Sequence, residues 1–105
     1  PSIDKARQET NNDYDLLEEK ANILKAIAHP IRLCILRGLS EKDEGQVSDM
    51  TNCLNMPQST ISQHVGILKK EGLLKGRRDG TNIYYSIKND NTRNLIKLIL
   101  EDIWK

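Results

Sequence analysis

The clearest indication of the fold is the sequence Met56-Pro57-Gln58-Ser59-Thr60-Ile61-Ser62-Gln63-His64-Val65-Gly66-Ile67-Leu68-Lys69-Lys70. Its apolar residues Ile61, Val65 and Leu68 recur at steps of four and three, which is the spacing of one face of an α-helix. Pro57 suits the first turn of such a helix, where a backbone N–H has no intrahelical partner. The spacing therefore predicts an amphipathic helix that buries this apolar face.

The opposite face of the predicted helix carries uncharged polar side chains, whereas an ordinary solvated helix carries lysine and glutamate there. Serine and glutamine both donate and accept hydrogen bonds, and such side chains can read base edges in the major groove of DNA. We therefore predict that the base-edge contacts come from Gln58, Ser59, Ser62 and Gln63. Thr60 and His64 are expected to lie near the DNA backbone.

A second, shorter helix is predicted over Val47–Leu54, with Ser48 as its N-cap, and Asn55-Met56 forms a tight connection to the next helix. Two short helices joined in this way are typical of a helix-turn-helix, in which the later helix is the recognition helix. The alternative is a packed helical hairpin that binds no partner. The polar face described above favours DNA binding.

A β-hairpin is predicted directly after the recognition helix, because Gly72 suits a helix C-terminus and the hydropathy period then changes to two. Asp79-Gly80-Thr81 is the turn, and Asn82–Ile87 is the second strand. A hairpin in this position is a wing. Basic residues cluster at the end of the helix and along the first strand, and we predict that the phosphate contacts come from Lys69, Lys70, Lys75, Arg77 and Arg78.

Helices are also predicted on both sides of this unit, over Tyr14–Ala28 with Asp13 as the N-cap, over Pro30–Leu39, and from Asn89-Asp90 to about Trp104. The first and last of these helices carry wide apolar faces, which one small domain cannot easily cover. We therefore expect a twofold homodimer that buries both faces and presents two recognition helices. Burial inside the monomer is the alternative.

The length of 105 residues predicts one domain with a modest core. We expect a flexible N-terminal arm over residues 1–12 and a DNA-binding and dimerisation domain over residues 13–105, mainly α with a small β-hairpin. No run approaches the roughly 20 apolar residues of a membrane span, and the first residues lack the apolar core of a signal peptide. A cytoplasmic protein without membrane contact is therefore expected.

The net charge of +1 by itself indicates nothing about nucleic-acid binding, but the distribution of charged residues along the chain is informative. Residues 1–50 hold seven Lys and Arg against ten Asp and Glu, whereas residues 51–105 hold nine against five. The positive charge therefore falls in the half of the chain that contains the predicted recognition helix and wing. This is the half that would face DNA phosphates.

The predicted order of elements resembles that of the ArsR/SmtB family of bacterial repressors. Three segments carry the resemblance: Ala28-His29-Pro30-Ile31-Arg32-Leu33-Cys34-Ile35-Leu36, Gln58-Ser59-Thr60-Ile61-Ser62-Gln63-His64, and Glu71-Gly72-Leu73-Leu74 with Gly80-Thr81-Asn82-Ile83-Tyr84-Tyr85-Ser86-Ile87. The resemblance covers roughly residues 14–104. It implies a homodimer that represses an operon until an inducer binds. Inducers in this family are often metal ions, while some members sense reactive sulfur or oxidants through cysteines.

The sequence departs from the metal-sensing pattern of that family. The segment that would hold the family's Cys-x-Cys-type motif contains only Cys53, and residues 1–12 contain no cysteine. The last helix offers Asp90, Glu101 and Asp102 without histidine, a ligand set that suits hard cations more than zinc. His29 and His64 are isolated in the sequence and are expected at a helix start and on a helix surface. We predict no family-type metal site and no cofactor, and a metal-responsive repressor is the alternative.

Cys34 and Cys53 are then the candidate sensors. Both lie off the apolar stripes and are expected to be partly exposed, on two helices that should be neighbours. A disulfide or a sulfur-bridged link between them would shift the recognition helix. A lowered thiol pKa would come from Arg32, Arg37 or His29. Two inert, semi-buried thiols are the alternative.

No enzyme is predicted, because the sequence suggests no Ser-His-Asp or Cys-His arrangement and contains no glycine-rich phosphate loop. The stronger rival is a winged-helix module for protein–protein contact, which would carry a charged or apolar exposed face on the recognition helix. The predicted function is a sequence-specific, dimeric, DNA-binding transcriptional repressor that an inducer releases from double-stranded operator DNA. Thiol oxidation or reactive sulfur is slightly favoured over metal as the signal.

Overall fold

The computed structural model describes the backbone of residues 2–51 and 55–103, and the side chains of residues 13–51 and 55–101. The elements are α1 Ser2–Ile27, α2 Pro30–Ser40, α3 Val47–Met50, α4 Gln58–Lys70, β1 Leu74–Asp79, β2 Asn82–Ile87 and α5 Asp90–Lys97, followed by a π-helical segment over Leu98–Ile103. Helices α3 and α4 form the helix-turn-helix, and β1 pairs antiparallel with β2 as the wing. The predicted fold class is confirmed.

Helix α1 begins at Ser2, well before the predicted start at Tyr14. Residues 2–12 contain no glycine or proline and include Ala6, Arg7, Gln8 and Glu9, which are good helix formers. Asp13 therefore lies inside the helix and does not cap it. The proposed boundary between residues 12 and 13 does not coincide with a helix end, and the flexibility of the arm stays a prediction.

No helix within the described ranges is long and apolar enough to cross a bilayer.

Helix α2 is capped at its start by His29, whose backbone is extended at φ −156° and ψ 135°. The Nδ1 atom of His29 accepts a hydrogen bond from the backbone N–H of Ile31 at 3.1 Å. This bond satisfies one of the N–H groups that the first turn of any helix leaves without a partner. Pro30 is the first residue of the helix, as predicted.

The end of α2 is held by Arg93 from α5. Its Nη1 atom donates to the carbonyl oxygens of Leu39 and Ser40, both at 2.9 Å, and to that of Lys42 at 3.3 Å. The last carbonyls of a helix lack intrahelical partners and form the negative end of the helix dipole. A positive guanidinium therefore stabilises both the end of α2 and the loop that follows.

Helix α3 begins at Val47, as predicted, but its N-cap differs and its helical residues end at Met50. Gln46 precedes the helix, and its backbone N–H donates to the carboxylate of Asp49 at 3.2 Å. Ser48, which was predicted to be the N-cap, lies inside the helix. Residues 52–54, the last part of the predicted helix, lie outside the described residues. Asn55 follows in the left-handed region at φ 54°, which asparagine tolerates better than most residues.

Helix α4 buries the predicted stripe, since Ile61, Val65 and Leu68 are almost fully shielded from solvent. Gly72 ends the helix at φ 79°, a backbone conformation that suits glycine. Its N–H donates to the carbonyl of Lys69 at 3.0 Å, and the N–H of Leu73 donates to that of Leu68 at 2.9 Å. These two bonds form a Schellman motif, which turns the chain sharply into β1.

The wing is a regular hairpin in which Leu74 pairs with Ile87 and Arg78 pairs with Ile83. Its loop consists of Gly80 and Thr81, and Gly80 adopts φ 65°. The loop after α2 joins the wing through Gly45, which exchanges two backbone hydrogen bonds with Tyr85 at 2.9 and 2.8 Å. The wing is therefore attached to the end of α2 as well as to α4.

The core lies between α2, α4 and α5. The largest fully buried side chains are Ile35, Leu36, Ile61, Leu68, Ile96 and Val65. On α1, Ala26 and Ile27 are buried, whereas Leu17 and Leu24 of the predicted apolar stripe are 65% and 55% exposed. The apolar stripe of α1 is thus largely uncovered within one protomer.

The final helix starts as predicted, because the side-chain oxygen of Asn89 accepts a hydrogen bond from the backbone N–H of Thr92 at 2.8 Å. It does not continue as one regular helix. The backbone widens to a π-helical segment at Leu98. Ile96 is buried, Leu95 and Leu100 are half-buried, and Leu98 is 48% exposed.

We predict that Arg93→Ala lowers the free energy of unfolding by about 2 kcal/mol, because charge-assisted hydrogen bonds to three carbonyls are lost. Lys97→Ala is the matched control, since Lys97 is exposed on the same helix. Urea unfolding at one protein concentration measures both variants. Equal stability of the two variants would show that Arg93 does not hold the end of α2.

Candidate nucleic-acid interface

The four residues predicted to read bases lie on the exposed face of α4, opposite its buried stripe. Gln58, Ser59, Ser62 and Gln63 are all exposed. Thr60 is half-buried. None of the hydrogen bonds between the described residues engages the side chains of the four exposed residues. Their donors and acceptors are therefore available to another molecule.

A polar cleft of about 270 Å³ lies beside this face, between α3, α4 and the wing. Ser62 and Gln58 form one wall, and further uncharged polar side chains include Gln46, Ser48, Thr81 and Asn82. Sequence reasoning had missed these last four as parts of the site. The available signal was their composition, since they repeat the uncharged donor–acceptor chemistry of the α4 face. The cleft thus brings such side chains from three elements to one side of the protein.

The predicted phosphate-binding residues lie at the end of α4 and on the first strand of the wing. Lys69 and Lys70 are exposed in the last turn of α4, and Lys75, Arg77 and Arg78 are exposed on β1. Because side chains alternate across a strand, Arg78 lies on the opposite face of the hairpin from Lys75 and Arg77. The basic residues therefore do not form a single stripe.

Arg77 is already engaged within the protein. Its Nε atom donates to both carboxylate oxygens of Glu44, at 3.2 and 3.1 Å, and its Nη2 lies 3.0 Å from Oε2. The guanidinium carbon also lies 4.8 Å from the ring centroid of Tyr84. The hydrogen bonds and the charge of Glu44 raise the pKa of Arg77 above its ordinary value. Sequence reasoning missed Glu44, which is 33 residues away along the chain.

His64 differs from the other predicted DNA-contacting residues, because its ring is half-buried against the start of α2. The ring centroids of His64 and His29 are 4.6 Å apart. Burial lowers the pKa of His64, and the positive charges of His29 and Arg32 lower it further. Its Nδ1 atom is buried with no hydrogen-bond partner among the described residues. His64 therefore keeps part of its ring at the helix surface but contacts α2, and its contact with the DNA backbone stays a prediction.

Cys34 is 7% exposed, so the expectation that it is partly exposed was wrong. It faces two pockets of about 320 and 190 Å³, and Arg37 lines both of them. The Nη2 atom of Arg37 lies 3.6 Å from the Cys34 sulfur. Cys34 takes part in a disulfide bond. Cys53, the other cysteine of the sequence, lies outside the described residues.

The described residues contain no group of three or more histidine, cysteine or acidic side chains that could hold a metal ion. Asp90 and Glu101 belong to this part of the chain, whereas the side chain of Asp102 lies outside it. The Nδ1 atom of His29 already accepts a hydrogen bond from the backbone N–H of Ile31 as the cap of α2.

Comparison with known proteins gives a consistent result. The profile described as bacterial regulatory protein, arsR family, matches residues 29–75. A helix-turn-helix transcriptional regulator from Methanocaldococcus jannaschii is 43% identical over 84 residues, which cover 80% of this chain and 94% of that protein. The transcriptional repressor PagR of Bacillus anthracis is 40% identical over 87 residues, which cover 83% of this chain and 87% of PagR.

Solved structures agree with the sequence relatives. The crystal structure of PagR has a TM-score of 0.73 and 41% identity, and the match covers 82% of this chain and 98% of that one. A homodimeric winged helix-turn-helix DNA-binding domain from Mycobacterium bovis has a TM-score of 0.75 and 33% identity, with coverage of 83% and 80%. These relatives are transcriptional regulators and not enzymes. The chain belongs to the arsR family of bacterial regulatory proteins.

Proposed function

We propose that this protein is a dimeric transcriptional repressor that reads its operator through α4 and leaves it when Cys34 and Cys53 are oxidised. The observation that carries the DNA-binding part is the exposed polar face of α4, whose side chains make no hydrogen bonds within the described protein. A cytoplasmic location is part of the same proposal.

Base reading is supported by the position of Ser62 and Gln63 on α4. Both are exposed, and the same turns of the helix are anchored from behind by Ile61 and Val65. A rigid helix presents hydrogen-bonding groups to a groove at little conformational cost. Uncharged side chains also avoid the desolvation penalty of a buried ion when they contact base edges. Exposed basic residues on the wing and at the end of α4 would supply the phosphate contacts that position the helix.

Dimerisation is supported by the uncovered face of α1. Tyr14, Leu17 and Leu24 recur at helical spacing and are each more than half exposed. Leu98 adds an exposed apolar side chain near the other end of the chain. A row of exposed large apolar side chains on one helix is typical of an interaction surface. A twofold pair would present two α4 helices to two operator half-sites.

The base-reading assignment predicts an asymmetric loss of affinity. Ser62→Ala combined with Gln63→Ala should weaken operator binding by about 10- to 100-fold, because a good base-edge contact contributes about 1–3 kcal/mol. Binding to random duplex DNA should change by less than about threefold, since it depends on phosphate contacts. Fluorescence anisotropy measures both affinities at one salt concentration.

Asn91→Ala, an exposed position on α5, is the control variant for this experiment. Equal losses on operator and random DNA would contradict base reading by Ser62 and Gln63. A protein that binds neither duplex, but captures a protein ligand, would support a winged-helix module for protein–protein contact instead.

The thiol part of the proposal is supported by the disulfide at Cys34 and by Arg37 beside its sulfur. A nearby guanidinium stabilises a thiolate, which is the reactive form of cysteine. Helix α2 also packs directly on the recognition helix, because Ile35 and Leu36 belong to the same core as Ile61. A change in the position of α2 would therefore reach the DNA-reading face.

Oxidation by tetrathionate should release the protein from its operator. Two thiols lose two protons and two electrons to form one disulfide, and tetrathionate is reduced to two thiosulfate ions. We predict at least a tenfold loss of operator affinity, restored by dithiothreitol and absent in Cys34→Ser and in Cys53→Ser, because the link needs both sulfurs.

The same anisotropy assay measures this switch on each variant before and after oxidation. Unchanged affinity after oxidation of the wild-type protein would contradict the thiol switch. Release of the reduced protein by zinc would favour the metal-responsive alternative.

A further inference from the structure

We propose that Glu44 occupies the guanidinium of Arg77 in the free protein, so that a DNA phosphate contacting the wing at Arg77 must displace this carboxylate. Glu44 would then limit the affinity of the wing for DNA. This inference rests on the proposed function, because it requires that the protein binds DNA through the wing.

The geometry of the pair is the first reason. Arg77 uses Nε and Nη2 toward Glu44, with three nitrogen–oxygen distances between 3.0 and 3.2 Å. These are the same donors that a guanidinium offers to a phosphate in a two-pronged contact. A carboxylate and a phosphate therefore compete for one edge of Arg77.

The second reason is that the guanidinium is held in place from two sides. Tyr84 lies opposite Arg77 in the hairpin register, and its ring lies 4.8 Å from the guanidinium carbon. A cation over an aromatic face is attracted by the ring quadrupole. When the carboxylate leaves, Tyr84 can still hold the guanidinium near its present position on the wing.

The third reason is that the backbone on both sides of Glu44 is anchored. The next residue, Gly45, exchanges two hydrogen bonds with Tyr85 on β2. Two residues earlier, the carbonyl of Lys42 accepts a hydrogen bond from Arg93. The anchored loop backbone therefore keeps Glu44 close to Arg77.

The energetics favour a role in binding over a role in stability. The side chains of Arg77 and Glu44 are 57% and 37% exposed, and exposed ion pairs contribute little to folding. The pair is therefore weak enough for a phosphate to replace it. In the complex, however, the freed carboxylate would lie within a Debye length of the DNA backbone and would repel it. Both effects lower affinity for DNA.

Glu44→Gln tests this inference, with Asp43→Asn as the matched control. Both substitutions remove one negative charge from the same exposed loop, but no described residue forms an ion pair with Asp43. We expect Glu44→Gln to tighten binding to random duplex DNA about fivefold near 0.15 M salt, and Asp43→Asn to tighten it less than about twofold. Fluorescence anisotropy across a salt series measures both variants.

Measuring Glu44→Gln in a protein that also carries Arg77→Gln separates the effect of the ion pair from the general effect of removing a negative charge. Arg77→Gln alone should weaken binding to operator and random DNA alike and flatten the salt dependence. In that background, Glu44→Gln should have no more effect than Asp43→Asn. The inference would be overturned if Glu44→Gln bound DNA no more tightly than Asp43→Asn. It would also be overturned if Glu44→Gln changed DNA affinity equally with and without Arg77. Either result would leave the proposed function standing. Absence of salt-dependent DNA binding by the wild-type protein would overturn the proposed function as well.

Discussion

The arrangement of α2, α5 and the wing depends on one contact. In this contact, the guanidinium of Arg93 donates hydrogen bonds to carbonyl oxygens at the end of α2 and in the loop that follows. It holds Leu39, Ser40 and Lys42 from one side. Farther along the same loop, Gly45 pairs with Tyr85 of the wing from the other side. One short loop thereby joins α5, α2 and the wing, so none of them can move far without the others.

Helix α2 contacts the recognition helix at more than one point along its length. At its start, His29 caps the helix and its ring packs on His64 of α4. In its middle, Ile35 shares a core with Ile61. Cys34 lies on this same helix, beside the side chain of Arg37. Any chemical change at Cys34 would therefore occur on the helix that contacts α4, the β2 strand of the wing and α5.

Hydrophobic periodicity and helix-end residues were enough to predict the elements that are specified by neighbouring residues in the sequence. The period of Ile61, Val65 and Leu68 identified α4, and Gly72 marked its end. The helical extension of α1 before residue 13 escaped prediction because residues 2–12 form a polar helix without an apolar period. The burial of Cys34 escaped because α2 is covered on more than one side, so a residue off the main stripe is still enclosed.

The long-range parts of the candidate site could not be predicted in the same way. The pairing of Glu44 with Arg77 joins residues 33 positions apart and leaves no periodic trace in either segment. The contact between His29 and His64 likewise depends on how α2 crosses α4. Such contacts follow from packing, and the residue types alone do not specify them.

The most direct test of base reading by α4 is the affinity of the reduced wild-type protein for the DNA upstream of its own gene, compared with its affinity for a shuffled duplex of equal length and composition. Sequence reading by α4 predicts that the upstream DNA binds at least about 1,000-fold more tightly, as is typical of sequence-specific recognition. Equal affinity for the two duplexes would contradict the central claim that α4 reads base sequence.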